Sequence, residues 1–206
     1  MRNKKSQKFI GIGLLAFYII TRFLFPAYVE SVVDSGGYII EVLVILVASL
    51  IFRDRISFRV RNPRQLFLDA LVAIAAGFFM YFGLKTAGIN NPLTFNNTEE
   101  TLSRIFTASL LIELLFRHAL FHPTEDLLKK HWPTTLVTAA LTAYAFLGSI
   151  FYTHQQLHTF IYYQSSWMLL MGIWWGFRYF TTRSLTVPVT CHVAFNFGFY
   201  LGLILM

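Results

Sequence analysis

The sequence predicts an all-α protein, a polytopic membrane helix bundle of about seven transmembrane helices with its N-terminus in the cytoplasm. Three observations predict it. Of 206 residues, 56% are hydrophobic and only 13% are charged, roughly half the charge of a soluble domain, and the mean hydropathy is +0.57. Such a chain lacks the polar surface to coat a soluble core, and its 17% aromatic content excludes a disordered one. The apolar residues also gather into runs at roughly 9–28, 37–52, 66–86, 101–121, 134–153, 159–180 and 184–206. Finally, the basic residues fall in alternate loops.

The first run follows Arg2, Lys4, Lys5 and Lys8. It is long, contains Arg22 and lacks a small-residue cleavage site, so it reads as an anchor rather than a signal peptide. The second and third runs flank a loop carrying Arg53, Arg55, Arg59, Arg61 and Arg64. Segment 53–65 reads either as an amphipathic strip on the cytoplasmic face or as a solvated basic loop. Asn97 or Thr98 can cap the fourth run, with Glu99 and Glu100 near its positive dipole end. Pro133 suits the start of the fifth. Lys129 and Lys130 precede that run, and Arg178 and Arg183 lie before the seventh, while the intervening loops are poor in Lys and Arg. The alternation places the C-terminus on the far side. A net charge of +7 is thus a membrane-orientation signal and implies no nucleic-acid partner. Cys191 is the sole cysteine, so no internal disulfide exists and packing is its expected role. No boundary divides the chain, and residues 1–206 read as a single integral membrane domain.

An ionisable side chain in hydrocarbon costs about 2.5–3.5 kcal/mol on insertion scales, so each needs a reason. Arg22, Asp69, Arg104 and Arg178 stand near span ends and can snorkel, and Glu41 can do so or pair with a neighbour. Glu113 is different. It lies about 18 Å into its span, with Arg117 at i+4 on the same face. His192 and Asn196 form a second i, i+4 pair, about 12 Å from the inner end of an oppositely directed span. The two pairs therefore stand at a similar depth and could converge in one buried pocket. A carboxylate with an imidazole can take a proton from water, and a His/Asn pair can donate to the oxyanion formed at a peptide carbonyl. Structural ion pairing is the plainer reading of Glu113–Arg117, since an unpaired charge there would be expensive. Glu113, His154, His158 and His192 are also suitable metal-ligand types, although no H-E-x-x-H motif is present.

Phe116-Arg117, Arg183-Ser184-Leu185 with Pro188, and His192-Val-Ala-Phe-Asn196 resemble motifs of the CPBP family, the CAAX- and bacteriocin-processing intramembrane endopeptidases that include the type II CAAX prenyl proteases. Gly172, Gly176 and Tyr179 resemble its penultimate helix, and the likeness spans about residues 101–200. The resemblance implies a glutamate-type endopeptidase for a membrane-proximal peptide, with Glu113 as base helped by His154, Arg117 orienting Glu113, and His192 with Asn196 stabilising the oxyanion. It implies no cofactor and no metal. Its partners would be the lipid bilayer and a peptide or membrane-protein substrate, and with the small size it favours a bacterial inner membrane.

The chain departs from the family pattern in two places. The first Glu of the family's Glu-Glu-x-x-x-Arg motif, taken there to activate water, falls on Ile112, and Glu113 matches the second. The stride from Pro133 to the family's second-motif histidine lands near Gly148, and His154 is the nearest histidine. A catalytically inactive pseudoprotease that binds a membrane partner or peptide is therefore the alternative, with a small transporter as a third reading. The chain ends Leu203-Ile204-Leu205-Met206, without a CAAX cysteine.

Overall fold

The computed structural model describes residues 4–24, 36–93, 97–151 and 153–206. Among these residues there are seven helices and no strand. Helix α1 spans Lys4–Ile19 and widens into a π turn at Ile20–Leu24, and α2 spans Gly36–Ile51. Residues 25–28, the expected end of the first span, lie outside the described residues. Helix α3 is Pro63–Thr86. Its N-cap is Asn62, whose side chain accepts from the Gln65 amide, and Pro63 sits at N1 where no donor is missed.

Helix α4 is segmented over residues 98–128: Thr98–Leu102, a π turn at Ser103–Thr107, Ala108–Glu113, a second π turn at Leu114–Ala119, and Phe121–Leu128. Asn97 caps it by accepting from the Glu100 amide at 2.7 Å. The helix outlasts the expected end at 121 because the chain turns at Leu120 and resumes. Pro123 then falls in the first turn of the resumed segment, where its absent N–H is harmless. Helix α5 is His131–Leu147, extended by a 3-10 turn at Gly148–Phe151, and α6 is His158–Thr182. Helix α7 is Thr186–Leu205.

Among the described residues, four helices are long and apolar enough to cross a membrane: Pro63–Thr86, Glu99–Leu128, His131–Phe151 and Thr186–Leu205. Ile39–Ile51 is a shorter apolar helix. The outside of the bundle is greasy, with Phe9, Phe67, Phe79, Leu170 and Leu205 all exposed, as suits a lipid solvent.

The described residues form three apolar clusters, of which the smallest gathers Phe121, Tyr179 and Leu185. The two larger ones organise the bundle. One joins α3, α6 and α7 around Trp175, Met168, Cys191, Phe195 and Phe199. The other joins α1, α2 and α4 around Tyr18, Phe52, Phe116 and Leu120. Helix α7 lies closely along α3. A Cβ on Gly198 would stand 2.0 Å from the Ile74 carbonyl oxygen, and one on Gly77 would stand 1.9 Å from that of Phe195. Small residues at a helix interface let backbones approach in a membrane, where no hydrophobic force drives helices together.

Several sequence expectations are corrected here. Asp69 and Arg178 do not snorkel separately; they pair across α3 and α6 at 2.6 Å, with Asp69 only 5% exposed. Arg22 pairs with Glu41 at 3.1 Å, which is the pairing alternative expected for Glu41, and Arg104 pairs with Glu100 at 2.7 Å. Segment 53–65 is not an amphipathic helical strip. Only Arg53–Arg55 makes a 3-10 turn. The loop beyond it is docked on the start of α7, where the Leu185 amide donates to Ser57 O and the Thr186 hydroxyl to Phe58 O, both at 2.8 Å.

Candidate functional site

Helix α4 presents Ser109, Glu113 and Arg117 in four-residue steps, with π turns on either side of Ala108–Glu113. π turns rotate the following side chains and cluster at functional sites. Glu113 and Arg117 are completely buried, and His192 of α7 is 2% exposed. The two residues do stand at the same depth, with His192 Nδ1 2.9 Å from Glu113 Oε1. The other carboxylate oxygen lies 3.2 Å from Arg117 Nε, a charge contact without hydrogen-bond alignment.

Arg117 is held from two more helices. Its Nη1 donates to Thr138 Oγ1 of α5 at 3.3 Å, and its Nη2 to the Gly172 carbonyl of α6 at 3.0 Å. The His192 ring stacks on Trp175 of α6, with centroids 4.5 Å apart and planes 27° apart. With Nδ1 given to the carboxylate, Nε2 is the ring nitrogen left for another partner. Four helices thus meet at one charge cluster, and the mutual attraction offsets the large cost of burying the ions.

Asn196 stands one turn beyond His192. Its Nδ2 donates to Ser109 Oγ at 2.9 Å and to the Arg104 carbonyl at 3.3 Å. Beside these groups lies a cavity of about 310 Å³ whose wall includes His192, Asn196, Arg104, Ile112, Phe146 and Met168. Glu113 is not on that wall; Ile112 is. Adjacent helical positions point about 100° apart, so the residue that reaches the cavity is the apolar one and the carboxylate turns to Arg117 and His192.

The structure therefore brings together Glu113, Arg117 and His192, with Asn196 adjoining them at the cavity. It does not bring His154 to them. Helix α5 ends at Leu147, a 3-10 turn follows at Gly148–Phe151, and His154 is exposed just before the turn Gln155–Leu157. His158 Nε2 lies 3.3 Å from the Thr153 carbonyl. The competing metal reading also loses its ligand set: among the described residues no three His, Cys, Asp or Glu side chains gather. Gly148, where the second-motif histidine was sought, has open space where a Cβ would stand.

Sequence reasoning missed Ser109, Thr138 and Trp175. The spacing of Ser109, Glu113 and Arg117 was a usable signal for the first. Nothing local marks Thr138 or Trp175, because their roles come from other helices.

A family model described as type II CAAX prenyl endopeptidase Rce1-like matches residues 95–198, half of the chain. No curated protein matches the chain, and no solved structure does.

Proposed function

The chain belongs to the type II CAAX prenyl endopeptidase Rce1-like family, and from that premise we propose that it is a pseudoprotease: it takes a membrane-proximal peptide or membrane-protein segment into the cavity between α4 and α7 without hydrolysing it. The observation that carries this is Ile112 on the cavity wall with Glu113 wholly buried behind it. Hydrolysis needs a carboxylate or imidazole within about 2.6–3.2 Å of the attacking water. Both oxygens of Glu113 already face Arg117 and His192, the carboxylate that does line the cavity, Glu41, is paired with Arg22, and no second histidine arrives from α5. The cavity keeps what recognition needs: apolar walls from Met80, Met168 and Phe199, and polar atoms on Asn196, Gln164 and Arg104. In this reading residues 1–206 form one integral membrane domain of seven spans, N-terminus cytoplasmic, in a bacterial inner membrane.

One observation favours a second reading, an active endopeptidase. The Glu113 carboxylate fixes Nδ1 of His192, and His192 lines the cavity. An imidazole so oriented can accept a proton from water through Nε2. Asn196 would then serve the oxyanion, after releasing Ser109 Oγ or the Arg104 carbonyl.

The test uses the reconstituted full chain and a library of fluorogenic peptides on a lipid anchor. The parent is expected to retain peptides and cut none. Ile112→Glu combined with Gly148→His supplies the two missing groups, and this variant is expected to gain cleavage. If the parent cuts and His192→Ala abolishes it, the second reading replaces the first. If the parent neither cuts nor retains any peptide, both fall.

A further inference from the structure

A second cavity, of about 340 Å³, lies at the end of the bundle where α4 and α6 finish and the 53–65 loop docks. Its wall is basic, with Arg55, Arg59, Arg61 and Arg183 against the single carboxylate of Asp54. Two of these arginines are already engaged. Arg55 meets Asp126 at 3.0 Å, and Arg183 meets Glu125 through two bonds of 2.8 and 2.5 Å. The hydrogen bonds it donates to the Glu125 carboxylate push the Arg183 pKa further up and keep it charged. Arg59 and Arg61 have no carboxylate partner among the described residues and stand exposed at the rim.

At the inner wall His122 is 2% exposed. Its Nε2 lies 3.2 Å from the Tyr179 hydroxyl, while its Nδ1 is buried with no partner. A buried, unsatisfied ring nitrogen costs free energy until something bonds it. Ser57 Oγ, also on the wall, accepts from the Arg59 amide at 3.3 Å, which leaves its O–H free to donate. Two unpaired guanidinium groups, a hydroxyl donor and an imidazole facing one small space match an oxyanion with several acceptor oxygens.

The surroundings are those of a membrane interface. Phe58, between Ser57 and Arg59, is 62% exposed, and Trp132 at 59% stacks on Phe177. His131, next to Trp132, packs at a tilt against Phe180, and Phe180 lies under the Arg183 guanidinium. Aromatic side chains beside clustered arginines mark headgroup depth. We propose that this cavity is a binding site for the phosphate group of an anionic phospholipid, with Arg59 and Arg61 as its principal charges and His122 and Ser57 as its inner hydrogen-bonding groups.

The test is lipid binding to the delipidated full chain in a neutral detergent. The probes are phosphatidylglycerol, a digalactosyl lipid with the same acyl chains, and inorganic phosphate. Phosphatidylglycerol is expected to bind and to raise the unfolding temperature, and the galactolipid to do neither. Arg59→Gln with Arg61→Gln is expected to weaken phosphatidylglycerol about 30-fold, the loss of two headgroup-depth charges. Arg59→Lys with Arg61→Lys is expected to keep most of the affinity. Both variants should unfold at the parent temperature without lipid, since these side chains are exposed. A full shift with inorganic phosphate alone would uphold the phosphate site but overturn the lipid as its source. Equal binding of galactolipid and phosphatidylglycerol, or a glutamine variant that binds like the parent, would overturn the proposal.

Discussion

Gly198→Ala adds one methyl group where α7 crosses α3. That carbon would stand 2.0 Å from the Ile74 carbonyl oxygen, 2.8 Å from its carbon and 2.9 Å from Ile74 Cα, whereas ordinary contact begins at 3.4 Å. The deficit is about 1.4 Å, and the obstacle is helical backbone, which cannot rotate away as a side chain can. The helices must therefore part by about an ångström along an interface that also holds Gly77 and Gly202. Overpacking of this kind costs typically 1–3 kcal/mol, and a backbone obstacle on both sides points to the upper end, about 3 kcal/mol. For a chain of this size that is an unfolding-temperature loss of about 6–12 °C. Because α7 also carries His192 and Asn196, peptide retention should fall with it. Thermal unfolding in detergent, followed by tryptophan fluorescence, reads the effect. Gly13→Ala is the control: nothing lies within 4 Å of its added carbon, so the change should be neutral or slightly stabilising. A Gly198→Ala protein that melts within about 1 °C of the parent would refute the reasoning.

Two further outcomes follow from the charges. Glu113→Gln leaves Arg117 buried beside a neutral amide and should cost about 3–5 kcal/mol, while Glu113→Gln with Arg117→Met should recover part of that loss in the same unfolding assay; a double variant no more stable than the single would sink the argument. Arg183→Ala removes the bridge to Glu125, but the arginine side chain is 42% exposed, so solvent screening limits the loss to about 1 kcal/mol or less. The folded-state pKa of Arg183 is raised, so its contribution is complete below the ordinary arginine range and is lost only as the pH climbs past that range. The Arg183→Ala difference should therefore be flat between about pH 6 and 9; a slope over that window would assign the effect to another group.

The helices were legible because a spanning segment has to be apolar along most of its length. Ile39–Ile51 and Pro63–Thr86 follow directly from that, and Asn62 and Asn97 announce their caps by residue type. The meeting of Glu113 with His192 was legible too, since depth in the bilayer is counted along each helix from its end. What escaped the sequence depends on rotation about the helix axis and on lateral neighbours. The two π turns of α4, the pairing of Asp69 with Arg178 and the stacking of Trp175 on His192 are set by which helix lies alongside, and hydropathy does not encode that. His154 misled for a related reason. It was placed by its distance along the chain, but α5 stops short of it and the 3-10 turn changes the chain's course.

The ionic knot at the centre of the bundle also sets an order of assembly. Glu113 and Arg117 are neighbours on one helix and largely cancel each other's charge, so α4 can leave the insertion machinery for lipid as a nearly neutral rod. His192, the group that completes the carboxylate's shell, is synthesised 79 residues later. Until α7 arrives, α4 waits with a half-satisfied carboxylate in the membrane, and α3 waits with a groove at Gly77 cut for the same helix. Helix α7 is thus the keystone of both halves. A chain whose synthesis stalls before α7 would carry a polar flaw in lipid, the kind of mark by which membrane quality control can tell an unfinished product from a finished one.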